Sequence, residues 1–507
     1  MRALLPAPPT KRQLADVADS WGLDLKGREA SLFAEVIDAG LANLAALEPL
    51  LGTRPLRSTR HPGASPRAAE NPLGAWAHRG DLREREDGPL AGYDIAIKDS
   101  IAVAGMPMRN GSRATQGFVP DADAVVVSRI LEAGGRIVGK AQCEDFCQGA
   151  QSFTSAPEPV RNPHDASRSA GGSSSGSAAL VGGGVVPMAI GGDSAGSIRV
   201  PSAYCGAVGL KPTFGTVPFT GSSSLEMSLE HLGPITATVD QNELLFSVIA
   251  GASRTDPRAR THPLKEAHRN TASALRVAVL SEGFAREASD PAVAAEVMGV
   301  SERLARAGIA MDTSHANILD AAEGMHIVIY LIGMTRLFRQ RGTGAGWIGT
   351  YPSDQADVLP RWLADRGALP DTLLLSLLAG SYLDQSSGVD LYARAQNARH
   401  ALTDAVDAAL DGADALLMPT ATTVAPPIPD RKVGRAERLL ASASAASNAP
   451  AFNLTGHPAI SVPCGTAHGL PVGAMLVARH GDEATLFELA RAVEANAERP
   501  GASTHPT

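Results

Sequence analysis

Residues 171–213 read GGSSSGSAALVGGGVVPMAIGGDSAGSIRVPSAYCGAVGLKPT, and this block is the most informative part of the chain. It holds the densest cluster of glycine and serine in the sequence. Two Gly/Ser-rich turns are separated by the apolar runs AALV and VVPMAI, which are typical of a helix and a short strand. Because a flexible linker rarely contains such runs, we interpret the block as folded structure.

Two short motifs compete for the chemistry of this block. A phosphate-binding loop requires a lysine after the last glycine of G-x-x-x-x-G, and none follows Gly176 or Gly184. The pentapeptide Gly192–Gly196 fits G-x-S-x-G, the nucleophile elbow of α/β-hydrolase esterases, with Ser194 as the nucleophile. No HGGG-type oxyanion segment precedes it, so the esterase elbow is kept as an alternative only.

The block as a whole favours two turns that each open onto a helix. Helix N-termini leave backbone N–H groups free and carry positive dipole character, and glycine lets the backbone approach a ligand closely. Such turns can hold a developing oxyanion beside a serine hydroxyl. No histidine lies in the block, and the candidate base is Lys98, after the apolar run Tyr93–Ile97. A lysine there usually reaches solvent or an acid, but a buried one without a carboxylate can act as a neutral base.

The rest of the chain alternates between short apolar runs and helical patterns, which predicts an α/β fold. Residues 1–70 predict a helical N-terminal region, in which Thr10 and Gln13 form a capping box. Residues 311–400 predict a mainly helical insertion that either covers or shapes a pocket or only adds packing, and residues 496–507 predict a frayed tail. The clearest other elements are strands at Arg136–Gly139, Ala415–Met418, Ile460–Pro463 and Pro471–Val477, and helices at Ala124–Ala133 and Glu483–Ala495.

Composition limits the compartment and the partners. The 507 residues carry 45 Lys+Arg and 53 Asp+Glu, a net charge of −8, with only 4% aromatic residues. This balance argues against a nucleic-acid binder, which needs a basic face and stacking platforms. No apolar run is long enough to cross a bilayer, and we expect no signal peptide. Four cysteines without C-x-x-C spacing predict a reduced, cytoplasmic protein.

Several segments together resemble the amidase signature family. Besides the Gly/Ser block, the resemblance rests on GYDIAIKDSIAVAGMPMRNGS, CEDF…VRNPHD and NLTGHPAISVPCG…LPVGAMLVARHGDEATLFELA, and it covers roughly residues 70–495. The helical N-terminal region and segments such as ENPLGAW are most similar to nitrile-hydratase-associated bacterial amidases. The resemblance implies a large mixed, twisted β-sheet with helices on both faces, in a catalytic domain over residues 71–495.

The same resemblance implies a Ser–cisSer–Lys triad rather than Ser–His–Asp. Ser197 matches the family's nucleophile, Ser173 the bridging serine that follows a cis peptide bond, and Lys98 the base. The backbone N–H groups that match the oxyanion hole belong to Ser194, Ala195 and Gly196.

Two glycines of the family pattern are replaced here, by Ala195 and Ser175. Ala195 can keep the turn geometry if its φ is negative, and neither change removes a catalytic group. Asp193 and Arg199 resemble an ion pair that braces the turn. The candidate substrate-lining residues, from the 143–155 loop and the insertion, are Phe146, Gln151 and Trp347.

The sequence therefore predicts an amidase without metal or cofactor. It would cleave a small apolar or aryl carboxamide through an acyl-enzyme, releasing a carboxylate and ammonia or an amine. The same triad would also serve anilides, carbamates, hydrazides or esters. A third alternative is the amidotransferase subunit that amidates misacylated tRNA. We expect a small-molecule substrate, no nucleic acid or membrane partner, and a homodimer.

Overall fold

The computed structural model describes residues 7–25, 27–42, 44, 47, 60–259, 275–286, 289–344, 349–430, 432–443 and 447–497. The chain divides into two compact units, Met1–Arg57 and Ser58–Thr507. The first unit contains α1 (Lys11–Ser20) and α2 (Gly27–Ala42). The predicted capping box is present at α1, where the Thr10 hydroxyl accepts the Gln13 N–H and the Gln13 side chain accepts the Thr10 N–H.

The boundary between the units lies near residue 57, whereas the sequence pattern suggested that the helical region ends near residue 70. The intervening segment pairs with the second unit. Ala64 and Arg79 exchange backbone hydrogen bonds of 2.9 and 2.8 Å, and the Arg60 guanidinium contacts the Asp123 carboxylate at 2.7 Å. These contacts attach residues 60 and 64 to the rest of the larger unit.

Eleven strands among the described residues of the second unit form one mixed sheet. In chain order they are β1 (Trp76–Leu82), β2 (Asp94–Lys98), β3 (Arg136–Ala141), β4 (Met188–Asp193), β5 (Val208–Lys211), β6 (His231–Thr236), β7 (Arg276–Leu280), β8 (Ala310–Ser314), β9 (Ala415–Pro419), β10 (Ala459–Ala467) and β11 (Leu470–Ala478). Their order across the sheet is β1-β3-β2-β4-β6-β5-β10-β11-β9-β7-β8. β2 runs parallel to β3 and β4, and β7 runs parallel to β8 and β9.

Helices connect and cover these strands, as the sequence alternation predicted. They are α3 (Val125–Glu132), α4 (Ser175–Gly182), α5 (Arg199–Cys205), α6 (Val239–Ile249), α7 (Pro291–Arg306), α8 (Ala321–Arg339), α9 (Ser353–Ala364), α10 (Asp371–Ser386), α11 (Leu391–Ala409), α12 (Arg435–Ala443), α13 (Pro450–Thr455) and α14 (Glu483–Ala495). The helices α8, α9 and α10 lie within the predicted helical insertion of residues 311–400, and α11 begins in it. No helix in the described ranges is long and apolar enough to cross a membrane.

Both faces of the sheet are buried, which the alternation of β2 illustrates. Ile95 and Ile97 point into a core that α3, α6, α7 and α14 share, whereas Ala96 points into the opposite core beneath α4 and α5. A strand that is apolar on both faces is typical of a sheet covered by helices on each side. The predicted α/β fold with a large mixed sheet is therefore confirmed. The four cysteines are all free thiols, as expected.

Candidate active site

Lys98, the predicted base, is the last residue of β2, and only 1% of its surface is exposed. Its Nζ lies 2.8 Å from Ser173 Oγ and 3.3 Å from the carbonyl oxygen of Gly192, which is near the end of β4. Because β2 and β4 are parallel neighbours, their carboxyl ends meet at this edge of the sheet. Across the described chain, no carboxylate lies within ion-pair distance of Lys98, and the adjacent Asp99 pairs with Lys140 instead.

Ser173 lies in the first Gly/Ser turn, directly before α4, and is 2% exposed. The peptide bond between Gly172 and Ser173 is cis, as the resemblance implied. Backbone hydrogen bonds attach this turn to the 143–155 loop: the Gly172 N–H donates to Ala150 at 2.8 Å, and the Ser173 carbonyl accepts from Glu144 at 3.2 Å. The loop therefore supports the serine that Lys98 contacts.

Ser197 lies in the second turn, between β4 and α5, and is partly buried. Its carbonyl accepts the N–H of Ser174 at 3.2 Å. This bond brings the second turn against the residue that follows Ser173. The structure thus gathers Lys98, Ser173 and Ser197 from three separate parts of the sequence into one region.

The two glycine positions of the second turn differ in what they tolerate. Gly196 has a φ of 112°, and a Cβ there would lie only 2.6 Å from the Cβ of Ala449. Glycine is therefore required at this position. Ala195 does not have a positive φ, so alanine fits the turn without the strain considered above. Ser175, the other replacement, is fully buried at the start of α4.

A buried ion pair braces the second turn, as the resemblance implied. The Arg199 guanidinium makes two hydrogen bonds of 2.9 and 3.0 Å to the Asp193 carboxylate, and both side chains are fully buried. Although burial opposes ionisation, Arg199 holds the pKa of the Asp193 carboxyl well below its ordinary value. The Asn453 amide completes the group by donating to Asp193 Oδ1 at 2.9 Å and accepting from Arg199 at 2.6 Å.

The Asp193 carboxylate also organises the backbone of the turn, and this changes one assignment. The Gly196 N–H, which the resemblance implied to be an oxyanion donor, donates to Asp193 Oδ1 at 2.7 Å. The Ile198 N–H donates to the other carboxylate oxygen at 3.1 Å. Of the three oxyanion donors expected from the sequence, Ser194 and Ala195 are therefore the two that are not committed to Asp193.

Ser194 is anchored on both sides by residues that the sequence reasoning missed. Its hydroxyl donates to Glu230 at 2.9 Å, and its carbonyl accepts the Nε2–H of His326 at 2.9 Å. Burial raises the pKa of Glu230 to about 7. An esterase elbow would need an imidazole on the Ser194 hydroxyl, but here the imidazole meets the carbonyl.

Phe146 begins the contact between the 143–155 loop and the helical insertion. It is 5% exposed, and its ring packs edge-on against Phe338 of α8 and Trp362 of α9, with centroids 6.3 and 6.5 Å apart. The backbone of Phe146 has a φ of 50°, a left-handed conformation that is uncommon for a bulky residue and clusters at functional sites. The insertion therefore contacts the loop that supports Ser173.

The other two candidate lining residues have different outcomes. Gln151 is 3% exposed, and its side-chain oxygen accepts the Ser169 hydroxyl at 3.0 Å. Its backbone carbonyl lies close to Gly172, so it supports the first turn. Trp347 lies outside the described residues.

Cys147 is a further group beside the Lys98–Ser173 pair that the sequence did not single out. A hydrogen bond with Cys143 lowers the pKa of the Cys147 thiol to about 6, and a hydrogen bond with Ser173 acts in the same direction. The sequence could have indicated this residue, because Cys147 belongs to the 143–155 loop, which was expected to contact the substrate. An ionisable thiol therefore shares the environment of the predicted base.

Several known proteins resemble this chain in sequence and in fold. The sequence model of the Amidase family matches residues 66–487. An enantioselective amidase from Rhodococcus rhodochrous is 36% identical over 492 residues, which are 95% of each chain. A glutamyl-tRNA(Gln) amidotransferase subunit from Methanosarcina acetivorans is 34% identical over 418 residues, covering 82% of this chain and 86% of the relative.

Solved structures with the same architecture include both kinds of relative. A glutamyl-tRNA(Gln) amidotransferase subunit from Thermotoga maritima superposes with a TM-score of 0.70 at 29% identity, covering 86% of this chain and 90% of its own. Native peptide amidase from Stenotrophomonas maltophilia has a TM-score of 0.66 at 28% identity, covering 91% and 93%. The fold, the two Gly/Ser turns and these matches together show that the chain belongs to the amidase family.

Proposed function

We propose that the protein hydrolyses carboxamides through an acyl-enzyme on Ser197, with Ser173 and Lys98 as the proton relay. The observation that carries the proposal is the buried Lys98 amine, which lies 2.8 Å from the Ser173 hydroxyl and has no carboxylate partner in the described chain. A buried ammonium without an acid is disfavoured, which suits an amine that must accept a proton.

In the proposed mechanism, neutral Lys98 draws a proton through Ser173 as Ser197 attacks the amide carbonyl. A serine hydroxyl is a weak nucleophile until a neighbour accepts its proton. The same relay then protonates the departing nitrogen, and water releases the carboxylate from the acyl-enzyme. The N–H groups of Ser194 and Ala195 hold the oxyanion, and one such donor is typically worth about 3–4 kcal/mol.

The residues around the second turn have positioning roles in this proposal. The Asp193–Arg199 pair and Asn453 hold the turn from the protein interior, while Glu230 and His326 hold Ser194. Donors that are fixed before the reaction lose no free energy in reorganising when charge develops. This support explains how a turn with alanine in place of one glycine can still present its N–H groups.

The proposed substrate is a small carboxamide with an apolar or aryl acyl group. The support comes from the aromatic cluster formed by Phe146, Phe338 and Trp362, since such a cluster favours apolar ligands over charged ones. Phe146, Gln151 and Trp347 stay proposed lining residues. The absence of a cofactor or catalytic metal, the homodimer and the cytoplasmic location stay predictions of the sequence.

Two rivals have support of their own. Hydrolysis of anilides, carbamates, hydrazides or esters uses the same triad and differs only in the leaving group. Amidotransferase subunits match at 34% identity over 82% of the chain or more. The longer alignment with an enantioselective amidase, 36% identical over 95% of the chain, favours amidase activity over the amidotransferase role.

One experiment tests the nucleophile and the bond together. The purified single chain is given an aliphatic amide, an aryl amide, an anilide and a carbamate, and the acid and amine products are quantified by mass spectrometry. We expect amide turnover and a trapped acyl-enzyme in the wild type, and neither in Ser197→Ala. Ser194→Ala is the comparison variant, because it removes the nucleophile of the esterase alternative while keeping the backbone N–H; without the Glu230 contact it should turn over more slowly but still form the acyl-enzyme.

Full activity in Ser197→Ala together with loss in Ser194→Ala would support the esterase elbow instead. A chain that is inactive alone, and active on glutamine only with partner subunits, would support the amidotransferase role. Loss of turnover on chelator treatment without any fall in the thermal unfolding midpoint would contradict metal-free catalysis.

A further inference from the structure

A second cluster of ionisable side chains is not used by the proposed reaction. It consists of Asp407 near the end of α11, His457 between α13 and β10, and His480 after β11. One potential ligand atom from each of the three side chains lies within 4.8 Å of the other two. His457 is fully buried, Asp407 is partly buried and His480 is exposed, so the cluster opens toward solvent.

Thr455 orients both imidazoles. Its hydroxyl contacts His457 Nδ1 at 2.9 Å, and its carbonyl accepts a hydrogen bond from His480 Nε2, also at 2.9 Å. Because a carbonyl only accepts, His480 carries its proton on Nε2, and a neutral ring keeps its lone pair on Nδ1. His457 uses its remaining nitrogen, Nε2, to reach Asp407 Oδ1 at 3.1 Å.

This arrangement is typical of metal-binding histidines. Such residues use one ring nitrogen for the metal and donate the other N–H to a carbonyl, hydroxyl or carboxylate that fixes the ring. Here one threonine supplies both outer contacts, the remaining nitrogen of His480 is a potential ligand, and a metal ion would take the place of the proton shared by His457 Nε2 and Asp407 Oδ1. Two imidazole nitrogens and one carboxylate oxygen suit Zn²⁺ and its neighbours in the first transition row, whereas Mg²⁺ and Ca²⁺ prefer oxygen ligands.

We propose that Asp407, His457 and His480 form a binding site for a divalent transition-metal ion of the Zn²⁺ type, with water completing its coordination. Bonds of about 2.0–2.1 Å in a tetrahedral site bring ligand atoms to within about 3.4 Å of one another. The pair of His457 and Asp407 already meets this spacing at 3.1 Å. The potential ligand atoms of the cluster lie up to 4.8 Å apart, so the exposed His480 side chain would move toward His457 and Asp407 when a metal ion binds.

Two basic side chains lie near the cluster. Arg479 is paired with Asp411 at 3.2 Å. The charge of the buried Lys211 acts on His457, so a bound cation depends on the Asp407 carboxylate to offset it. The site also has a structural connection to the catalytic turn, because Thr455 follows Asn453 by two residues in α13, and Asn453 bonds to Asp193. Bound metal would therefore stabilise the end of α13, and it would act as a structural ion rather than a reactant.

Calorimetric titration of the untagged, metal-stripped full chain with ZnCl₂ tests the site. We expect one Zn²⁺ per chain, a rise in the thermal unfolding midpoint, and no comparable response to MgCl₂. His480→Ala and Asp407→Asn should each weaken Zn²⁺ binding by at least about tenfold, because mutating one partner of a metal site typically costs 10–100-fold in affinity. Both positions reach solvent, so these variants should fold even if a change at buried His457 does not.

His468→Ala is the matched control, since His468 is also exposed and paired with a carboxylate, that of Asp290, outside the cluster. It should bind Zn²⁺ like the wild type. Equal binding in wild type, His480→Ala and Asp407→Asn would overturn the proposal, as would the absence of stoichiometric binding. Because binding and unfolding are measured without substrate, neither result depends on the proposed hydrolysis.

Discussion

Lys98 and Lys140 lie on neighbouring strands but meet opposite kinds of partner. In the register of β2 and β3, Ile97 pairs with Lys140, and Lys98 pairs with Ala141. Both lysines are buried, at 1% and 0% exposure. Lys140 Nζ lies 3.3 Å from the Asp99 carboxylate, whereas Lys98 Nζ lies 2.8 Å from a serine hydroxyl.

The difference shows that burial alone does not define a lysine's role. Burial lowers the pKa of Lys140 and raises that of Asp99, and the charge of each residue opposes the shift of the other, so the two side chains hold their charges only as a pair. A hydroxyl offers no such charge, so Lys98 is suited to exchange a proton with it. The sequence places Lys98 and Asp99 next to each other, yet their side chains point to different partners on opposite sides of the strand.

The largest expected effect comes from replacing the lysine that lacks an acid. Lys98→Met should lower kcat by about 10²–10⁴-fold, the range of a general base, because it removes the amine without leaving a buried charge behind. Its unfolding free energy in urea should stay close to that of the wild type. A variant that keeps wild-type kcat would remove the proposed distinction between the two lysines.

Lys140→Met should show the reverse pattern. It leaves the Asp99 carboxylate buried without its cation, which typically costs about 3–5 kcal/mol of unfolding free energy. The double variant Lys140→Met/Asp99→Asn should recover part of this loss, because no unpaired charge then remains. Urea unfolding of the three proteins measures the effect; a single variant as stable as the wild type would contradict it.

The sequence predicted the strand and the turns around Lys98, but not the ion pair between Asp99 and Lys140. The apolar run before residue 98 indicated β2, and the Gly/Ser block indicated the two turns that meet its end, because strand and turn patterns are local. The partner of Asp99 could not be predicted, since Lys140 lies on another strand and its side-chain direction depends on the sheet register.

Long-range contacts also explain what the sequence missed at the candidate site. Glu230, His326 and Asn453 approach the second turn from β6 and its preceding loop, α8 and α13, and no local pattern in those segments indicates a contact with residues 193–199. The Gly196 N–H was expected to belong to the oxyanion hole. Its hydrogen bond to the Asp193 carboxylate could not be predicted, because it depends on the rotamer of Asp193, three residues earlier. Family resemblance identified the turn, while side-chain packing determined its donors.

A smaller expected effect concerns the pH dependence of the unfolding free energy. Glu230, which has no cationic partner in the described chain, should contribute to it differently from acids that have one. Burial raises the pKa of Glu230 to about 7, so the folded state binds its proton more tightly than the unfolded state does. This group should therefore lower the unfolding free energy as pH rises from about 4.5 to about 7, by at most about 3 kcal/mol. Glu230→Gln should flatten that part of the pH dependence, measured by urea unfolding at several pH values.

The matched control for this slope is Asp81→Asn, because a hydrogen bond from Arg136 lowers the pKa of the Asp81 carboxyl, which therefore stays ionised over this pH range. Its profile should follow the wild type between pH 5 and 7. Parallel slopes in wild type and Glu230→Gln would show that Glu230 is ionised throughout this range and would remove the contrast with Asp193.

The smallest effect concerns the thiol beside Lys98. A hydrogen bond with Cys143 lowers the pKa of Cys147 to about 6, so a thiolate forms in the environment of Lys98 as pH rises through that value. Cys147→Ser removes this titrating group, so a small step near pH 6 in the kcat/KM profile of the wild type should be missing from the variant. Cys464→Ser, at a buried thiol in β10, should leave the profile unchanged. A step near pH 6 that persists in Cys147→Ser would show that the thiol does not influence the reaction, and Lys98 would then differ from Lys140 in having no anion that affects it.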